Sequence, residues 1–193
     1  WELSRNANRR YFTWRAYDSE VEPPLYQVNG QGYLSYGKFY TVMLALRDLV
    51  GEAEFNKVIA KISDKYRDQM ELEVTTLEFL DELYAIAPSN DHKLIDDWLK
   101  SVVLYDLAVE NATVTTLDNG KYKVEIDLET KRFKTLEDGS VEEIEIDELL
   151  KVGVFTKHPR SYRNGDSPLY IESKCFSQTQ TKMTIIVDEK PEY

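Results

Sequence analysis

Apolar residues recur every three or four positions along the first half of the chain and every two along the second, which predicts helices followed by strands. The opening segment, residues 2–20, carries Leu3, Ala7, Tyr11 and Trp14 along one side of a helix. Pro23 and Pro24 then break any helix, and a loop with a glycine-rich turn covers residues 21–31. From Tyr33 the spacing is helical again through Tyr36, Phe39, Tyr40, Met43, Leu46 and Val50, with Gly51 as a C-terminal stop. A further helix carries Phe55, Val58, Ile59, Ile62 and Tyr66. Thr75 and Glu78 form a capping box ahead of Phe79, Leu80, Leu83 and Ile86, and that helix stops near Pro88. Asn90 is placed to cap the last helix, whose buried stripe is Leu94, Ile95, Trp98, Leu99 and Val102. Helices in this sequence predict a bundle-like module.

Near Leu104 the period falls to two. Tyr122, Val124, Ile126 and Leu128 alternate with Lys123, Glu125, Asp127 and Glu129, as in a strand packed on one face and wet on the other. Asn119-Gly120 and Asp138-Gly139 supply hairpin turns on either side of it, because these pairs accept positive φ. Other strands are expected over residues 104–117, 141–146, 152–156, 169–176 and 183–187. Six or seven short strands make a small antiparallel sandwich. The expected class is therefore α+β, with a helical domain over residues 1–103 and a sandwich over residues 104–193.

Charge narrows the partners. The 193 residues carry a formal net charge of -11, and the acid excess is spread, at -5 over the first 102 residues and -6 over the rest. Such a surface has no general electrostatic footprint for nucleic acid or anionic lipid, so no nucleic-acid partner is expected. Cys175 is the single cysteine, which excludes an internal disulfide and any paired-cysteine metal or redox motif. No stretch approaches the roughly 18 apolar residues of a membrane span, so this piece is expected to be soluble. It begins at Trp1, already within a helical pattern and with no signal peptide, which reads as an excised fragment.

Little self-contained chemistry is expected. His92 and His158 belong to no ligand spacing and read as surface residues, so no metal site is predicted within the chain. No nucleophile elbow or phosphate loop occurs. The acidic run Glu142, Glu143, Glu145, Asp147 and Glu148 reads as a solvated strand face, and Asp96 and Asp97 as a helix surface. Arg5, Arg9, Arg10 and Arg15 read as residues that solvate the first helix or pair with acids. A sharper signal comes from residues 29–38, a loop entering a helix with Tyr33, Tyr36 and Lys38 at its mouth. A phenol there can donate to a developing oxyanion without titrating at neutral pH. The same spacing also suits amphipathic aromatics at a core edge.

The run EPPLYQVNGQGYLSYGK over residues 22–38, followed by a helix and VGEAEFN over residues 50–56, resembles the segment downstream of the zinc site in the aminopeptidase N family. LIDDW at 94–98, LYD at 104–106, GKYKV at 120–124 and VGVF at 152–155 are similar to that family too. With IVDEKP at 186–191 they resemble more narrowly the bacterial members in which the peptidase follows an ABC transporter permease.

The resemblance implies the end of a gluzincin catalytic domain followed by an immunoglobulin-like β-sandwich. It implies a zinc-dependent aminopeptidase that hydrolyses N-terminal residues of peptides, with the zinc ligands upstream of Trp1. The missing N-terminal catalytic half and the permease portion would be partners within one polypeptide, peptide the substrate, and the full-length protein membrane-associated and extracytoplasmic. By motif match Tyr36 would be the catalytic tyrosine that stabilises the transition state. Tyr33 would line the same cleft, and Lys38 would match the motif lysine without a catalytic role. Phe39 departs from the glycine usual after that lysine. Without the metal half this fragment would be inactive. The alternative is a non-catalytic interaction module attached to a transporter. A self-contained acid–base hydrolase would need two carboxylates with pKa values pushed apart in one cleft.

Overall fold

The computed structural model describes residues 2–18, 20–68, 74–163 and 165–193, and the side chains of residues 2–5 lie outside the description, so the expectations for Leu3 and Arg5 do too. Among the described residues there are five α-helices and six strands with antiparallel pairing, so the fold is α+β. Two compact units divide the chain. One holds residues 2–102 with the short turn 136–140, and the other holds residues 103–135 and 141–193.

In the helical unit, α1 (Glu2–Arg15) is shorter than its pattern predicts and turns away through Tyr17 and Asp18. Its buried stripe is Ala7 and Tyr11, whereas Trp14 is exposed. The expected single helix from Tyr33 is instead a π-helical turn, Leu34–Lys38, running into α2 (Phe39–Val50). Gly51, at φ 88°, then redirects the chain into α3 (Glu52–Tyr66), a backbone conformation that favours glycine. Ile59, expected on the α3 stripe, is exposed, and Phe55 and Val58 carry the burial.

Helix α4 (Thr76–Ile86) is capped by Thr75, whose side chain accepts from the Glu78 amide at 3.3 Å. The reciprocal half of the box is not made. Glu78 turns instead to Lys65 and the Tyr66 hydroxyl, tying α4 to α3. Ahead of α5 (His92–Leu99) a 3-10 turn, Ser89–Asp91, takes the place of the expected Asn90 cap. The α5 stripe is Leu94, Ile95, Trp98 and Leu99, all buried.

In the second unit β2 (Tyr122–Thr135) is central. Its first part pairs with β6 (Gln180–Val187), Val124 opposite Ile185 and Ile126 opposite Met183, and its last part with β3 (Val141–Ile144). Strand β1 (Val102–Thr116) completes this sheet. A second sheet pairs β4 (Glu148–Val154) with β5 (Tyr170–Phe176). Val124, Ile126, Met183, Ile185 and Val187 of the first sheet share one core with Val154 and Phe176 of the second. Strand β4 begins at Glu148, before its expected start, and that residue corrects the solvated-face expectation. Glu148 is 2 % exposed and accepts from the Tyr105 hydroxyl at 2.8 Å, with Arg132 Nε at 3.7 Å. Glu142, Glu143 and Glu145 are exposed as expected.

An aromatic cleft over a buried charge cluster

Helix α1 and the π-helical turn meet at Gly37. A Cβ built there would lie 3.0 Å from both the Cβ and the backbone nitrogen of Tyr11 and 3.1 Å from the Ala7 carbonyl oxygen. Glycine therefore sets how closely the two backbones approach. On either side of Gly37 the turn sends neighbouring side chains to opposite environments. Tyr36 is 71 % exposed, and Lys38 is 9 % exposed.

Lys38 enters a cluster centred on Glu22, a loop carboxylate 6 % exposed. Lys38 Nζ donates to Glu22 Oε1 at 2.7 Å. The Tyr11 hydroxyl and Arg15 Nε both donate to Oε2, at 2.7 and 2.6 Å. Lys38 Nζ also lies 5.5 Å from the centre of the Tyr11 ring, within cation–π range. Two cations, Lys38 buried and Arg15 part-exposed, and one carboxylate leave this group with one excess positive charge. Burial pushes Lys38 below its ordinary ammonium pKa in spite of Glu22. Burial, and then the Glu22 charge, hold the Tyr11 phenol far above its ordinary value, so it stays a donor.

Above the cluster lies an open cleft lined by Arg10, Trp14, Tyr17, Asp18, Gly32, Tyr33 and Tyr36. Its rim is aromatic and exposed at Trp14, Tyr17 and Tyr36, and the Arg10 guanidinium sits 5.9 Å from the Tyr36 ring centre. Tyr33 is the buried wall. Its ring stacks on Tyr11 at 6.2 Å, and burial, with Asp18 second, raises its phenol pKa. Tyr33 and Tyr36 thus line one cleft. The exposed rim aromatics lie on α1, in the turn after it and on the π-helical turn, while α2 beyond Phe39 has no large exposed apolar side chain.

Sequence reading missed Glu22, Arg10 and Gly37 as parts of this site. The available signals were a glycine within a helical pattern, which costs stability unless backbones must approach, and Arg15 four residues beyond Tyr11 on the packed stripe. The other singled-out residues lie elsewhere in their units. His92 Nε2 is 3.2 Å from the Ala87 carbonyl oxygen, and His158 Nδ1 accepts from the Arg160 amide at 3.1 Å. Asp96 accepts from the Tyr84 hydroxyl and pairs with Lys100, and Asp97 pairs with Lys93. Cys175 is free and exposed.

Among the described residues no three histidine, cysteine, aspartate or glutamate side chains are grouped to hold a metal ion. No helix among them is long and apolar enough to cross a membrane. These features define an α+β protein whose helical unit presents an aromatic cleft beside a buried ion cluster. No family model, curated protein or solved structure matches the chain.

Proposed function

We propose that the chain is the C-terminal portion of a zinc-dependent metallo-aminopeptidase that removes N-terminal residues from peptides, with Tyr36 as its transition-state donor. The observation that carries this reading is the split at the π-helical turn. Lys38 is locked into the Glu22 cluster, Gly37 is pressed against α1, and Tyr36 between them and the loop stands out into the cleft. π-Bulges in helices occur frequently at functional sites, because they re-aim a side chain at the expense of regular hydrogen bonding.

A phenol held this way donates a hydrogen bond to an oxyanion as charge develops on it, and needs no ionisation to do so. Arg10 over the ring and the excess positive charge of the cluster favour negative charge nearby. Tyr33 closes the wall beneath. In this reading the metal ligands belong to sequence upstream of Trp1, as the resemblance to the aminopeptidase N family implies. Within the same proposal, residues 1–103 are the end of a gluzincin catalytic domain and residues 104–193 an immunoglobulin-like sandwich. The complete polypeptide is a membrane-associated, extracytoplasmic enzyme joined to a transporter permease.

The test is made in the complete native polypeptide. Tyr36→Phe is expected to lower peptide hydrolysis by about 10²- to 10³-fold, the loss seen for one oxyanion donor. An unchanged rate rejects the role. An upstream reading frame without an H-E-x-x-H ligand pair rejects the enzyme and leaves the interaction module.

A further inference from the structure

We propose that Glu22 and Lys38 are positioning residues: their buried ion pair is a latch that holds the π-helical turn and so fixes where Tyr36 points. The role of the latch in catalysis rests on the reading of Tyr36 above, whereas the latch itself stands on geometry.

A π-helical turn has wider spacing than the α-helix that follows it, and left alone it relaxes toward α-helical register. Something outside the turn must hold it. Two contacts do so, and they act at adjacent residues. Gly37 is pinned by steric fit, its α-carbon seated where a side chain would collide with Tyr11 and Ala7 of α1. Lys38 is pinned by charge, through its 2.7 Å bond to Glu22. Slipping the turn by one residue would rotate Lys38 out of reach of Glu22 and bring a residue with a Cβ against α1.

The carboxylate is itself immobilised. Tyr11 and Arg15, four residues apart on α1, both donate to Oε2, so Oε1 is left for Lys38. Glu22 thus ties the loop after α1, α1 itself and the π-helical turn at one point. Each of its contacts is short, and Glu22 and Lys38 are nearly excluded from water, where a charge pair is screened little. Tyr36 makes no comparable contact. Arg10 alone packs on its ring among the described contacts, so its aim is inherited from the residues beside it.

The experiment uses the full 193-residue chain with 3-fluorotyrosine placed at position 36. Glu22→Gln would strand Lys38 as a buried cation and threatens the fold, so the primary variant is Lys38→Met, which keeps the length of the side chain and leaves Glu22 bonded to Tyr11 and Arg15. Loss of one charged hydrogen bond predicts that amide exchange over residues 34–39 speeds by about 10- to 100-fold. The amides of α3 and α4 are expected to be unchanged. The fluorine resonance is expected to broaden or shift as Tyr36 samples more than one direction. Unchanged exchange at 34–39 together with an unchanged fluorine line overturns the latch, and so does a uniform loss of protection across the helical unit.

In the complete enzyme the same variant is expected to lower kcat about tenfold with KM unmoved. If Tyr36→Phe leaves the rate intact while Lys38→Met loosens the turn, the catalytic reading falls and the latch holds. If Tyr36→Phe costs activity while Lys38→Met disturbs neither fluorine nor exchange, the latch falls alone.

Discussion

Each unit of the chain buries one carboxylate with a tyrosine hydroxyl, a cation, and that cation placed over the ring of the same tyrosine. In the helical unit these are Glu22, Tyr11 and Lys38, with Lys38 5.5 Å from the ring centre. In the sandwich they are Glu148, Tyr105 and Arg132, at 5.9 Å. What sets the second apart is a backbone partner. Lys38 Nζ bonds its carboxylate at 2.7 Å, whereas Arg132, with Nε 3.7 Å from Glu148 Oε2, also donates from Nη1 to the Asp147 carbonyl at 2.9 Å. The first arrangement fixes a side chain to a loop. The second also ties β2 to the backbone that enters β4. One constellation thus serves a turn beside an open cleft, and the other a joint between two strands in a core.

The sharpest way to break this comparison is to remove the two cations in parallel. Arg132 is 0 % exposed, so Arg132→Met leaves buried backbone acceptors and a buried carboxylate without it, a loss of about 3–5 kcal/mol. Lys38→Met leaves Glu22 with Arg15 and Tyr11, and is expected to cost about 1.5–3 kcal/mol, confined to the π-helical turn. Hydrogen exchange resolves the two units separately, with β2 amides reporting the first variant and the amides of residues 34–39 the second. Equal losses would mean that the two clusters do the same job.

A smaller effect separates backbone from side-chain fit. At Gly37 an added Cβ meets the Tyr11 backbone at 3.0 Å, which cannot yield without moving α1, so Gly37→Ala is expected to cost about 1–3 kcal/mol. At Gly153 in β4 the added Cβ meets only the Phe155 ring closely, at 2.7 and 2.8 Å. That ring can turn aside, and alanine restricts the unfolded strand, so Gly153→Ala is expected within about 1 kcal/mol of neutral. Urea unfolding of both variants checks the order. A costlier Gly153→Ala would show that the ring is held as rigidly as the helix backbone.

Much of the fold was legible because it is local. The stripes of α4 and α5, the Thr75 cap and the glycine turns at 120 and 139 each depend on a few neighbouring residues. What was missed depends on partners distant in sequence. Spacing alone cannot tell an α-helix from a π-helical turn, since Tyr36 and Tyr40 fit either, and the turn exists only because α1 comes within reach of Gly37. One of the two buried sandwich charges was legible in phase though not in type. Counting by twos along β2 from Val124 and Ile126 reaches Thr130 and Arg132, so both sit on the inward face. Glu148 opens a separate strand in the other sheet, so no alternation carried over from Ile144 could place it. Glu22 had no such phase to betray it, because it lies in a loop beside two prolines.

The smallest expected effect tests whether exposed ion pairs matter beside these buried ones. Lys65, and then the Tyr66 hydroxyl, hold the Glu78 carboxyl below its ordinary pKa in the helical unit. Lys157, and then the Arg163 amide, do the same for Asp166 in the other unit. A folded pKa below the unfolded one means stabilisation that is complete above the ordinary carboxylate range, about pH 4, and is lost as pH falls through the folded value. Glu78→Gln and Asp166→Asn are each expected to flatten the acid limb of stability in their own unit and to change nothing at neutral pH beyond the lost bond. Both pairs are open to solvent, so raising the ionic strength should shrink their share of that limb, while the buried Glu22 and Glu148 clusters are screened far less. Acid unfolding of the parent chain and the two variants at low and high salt measures this. An acid limb equally steep in all three at every salt concentration would mean that the exposed pairs contribute nothing to the difference between the units.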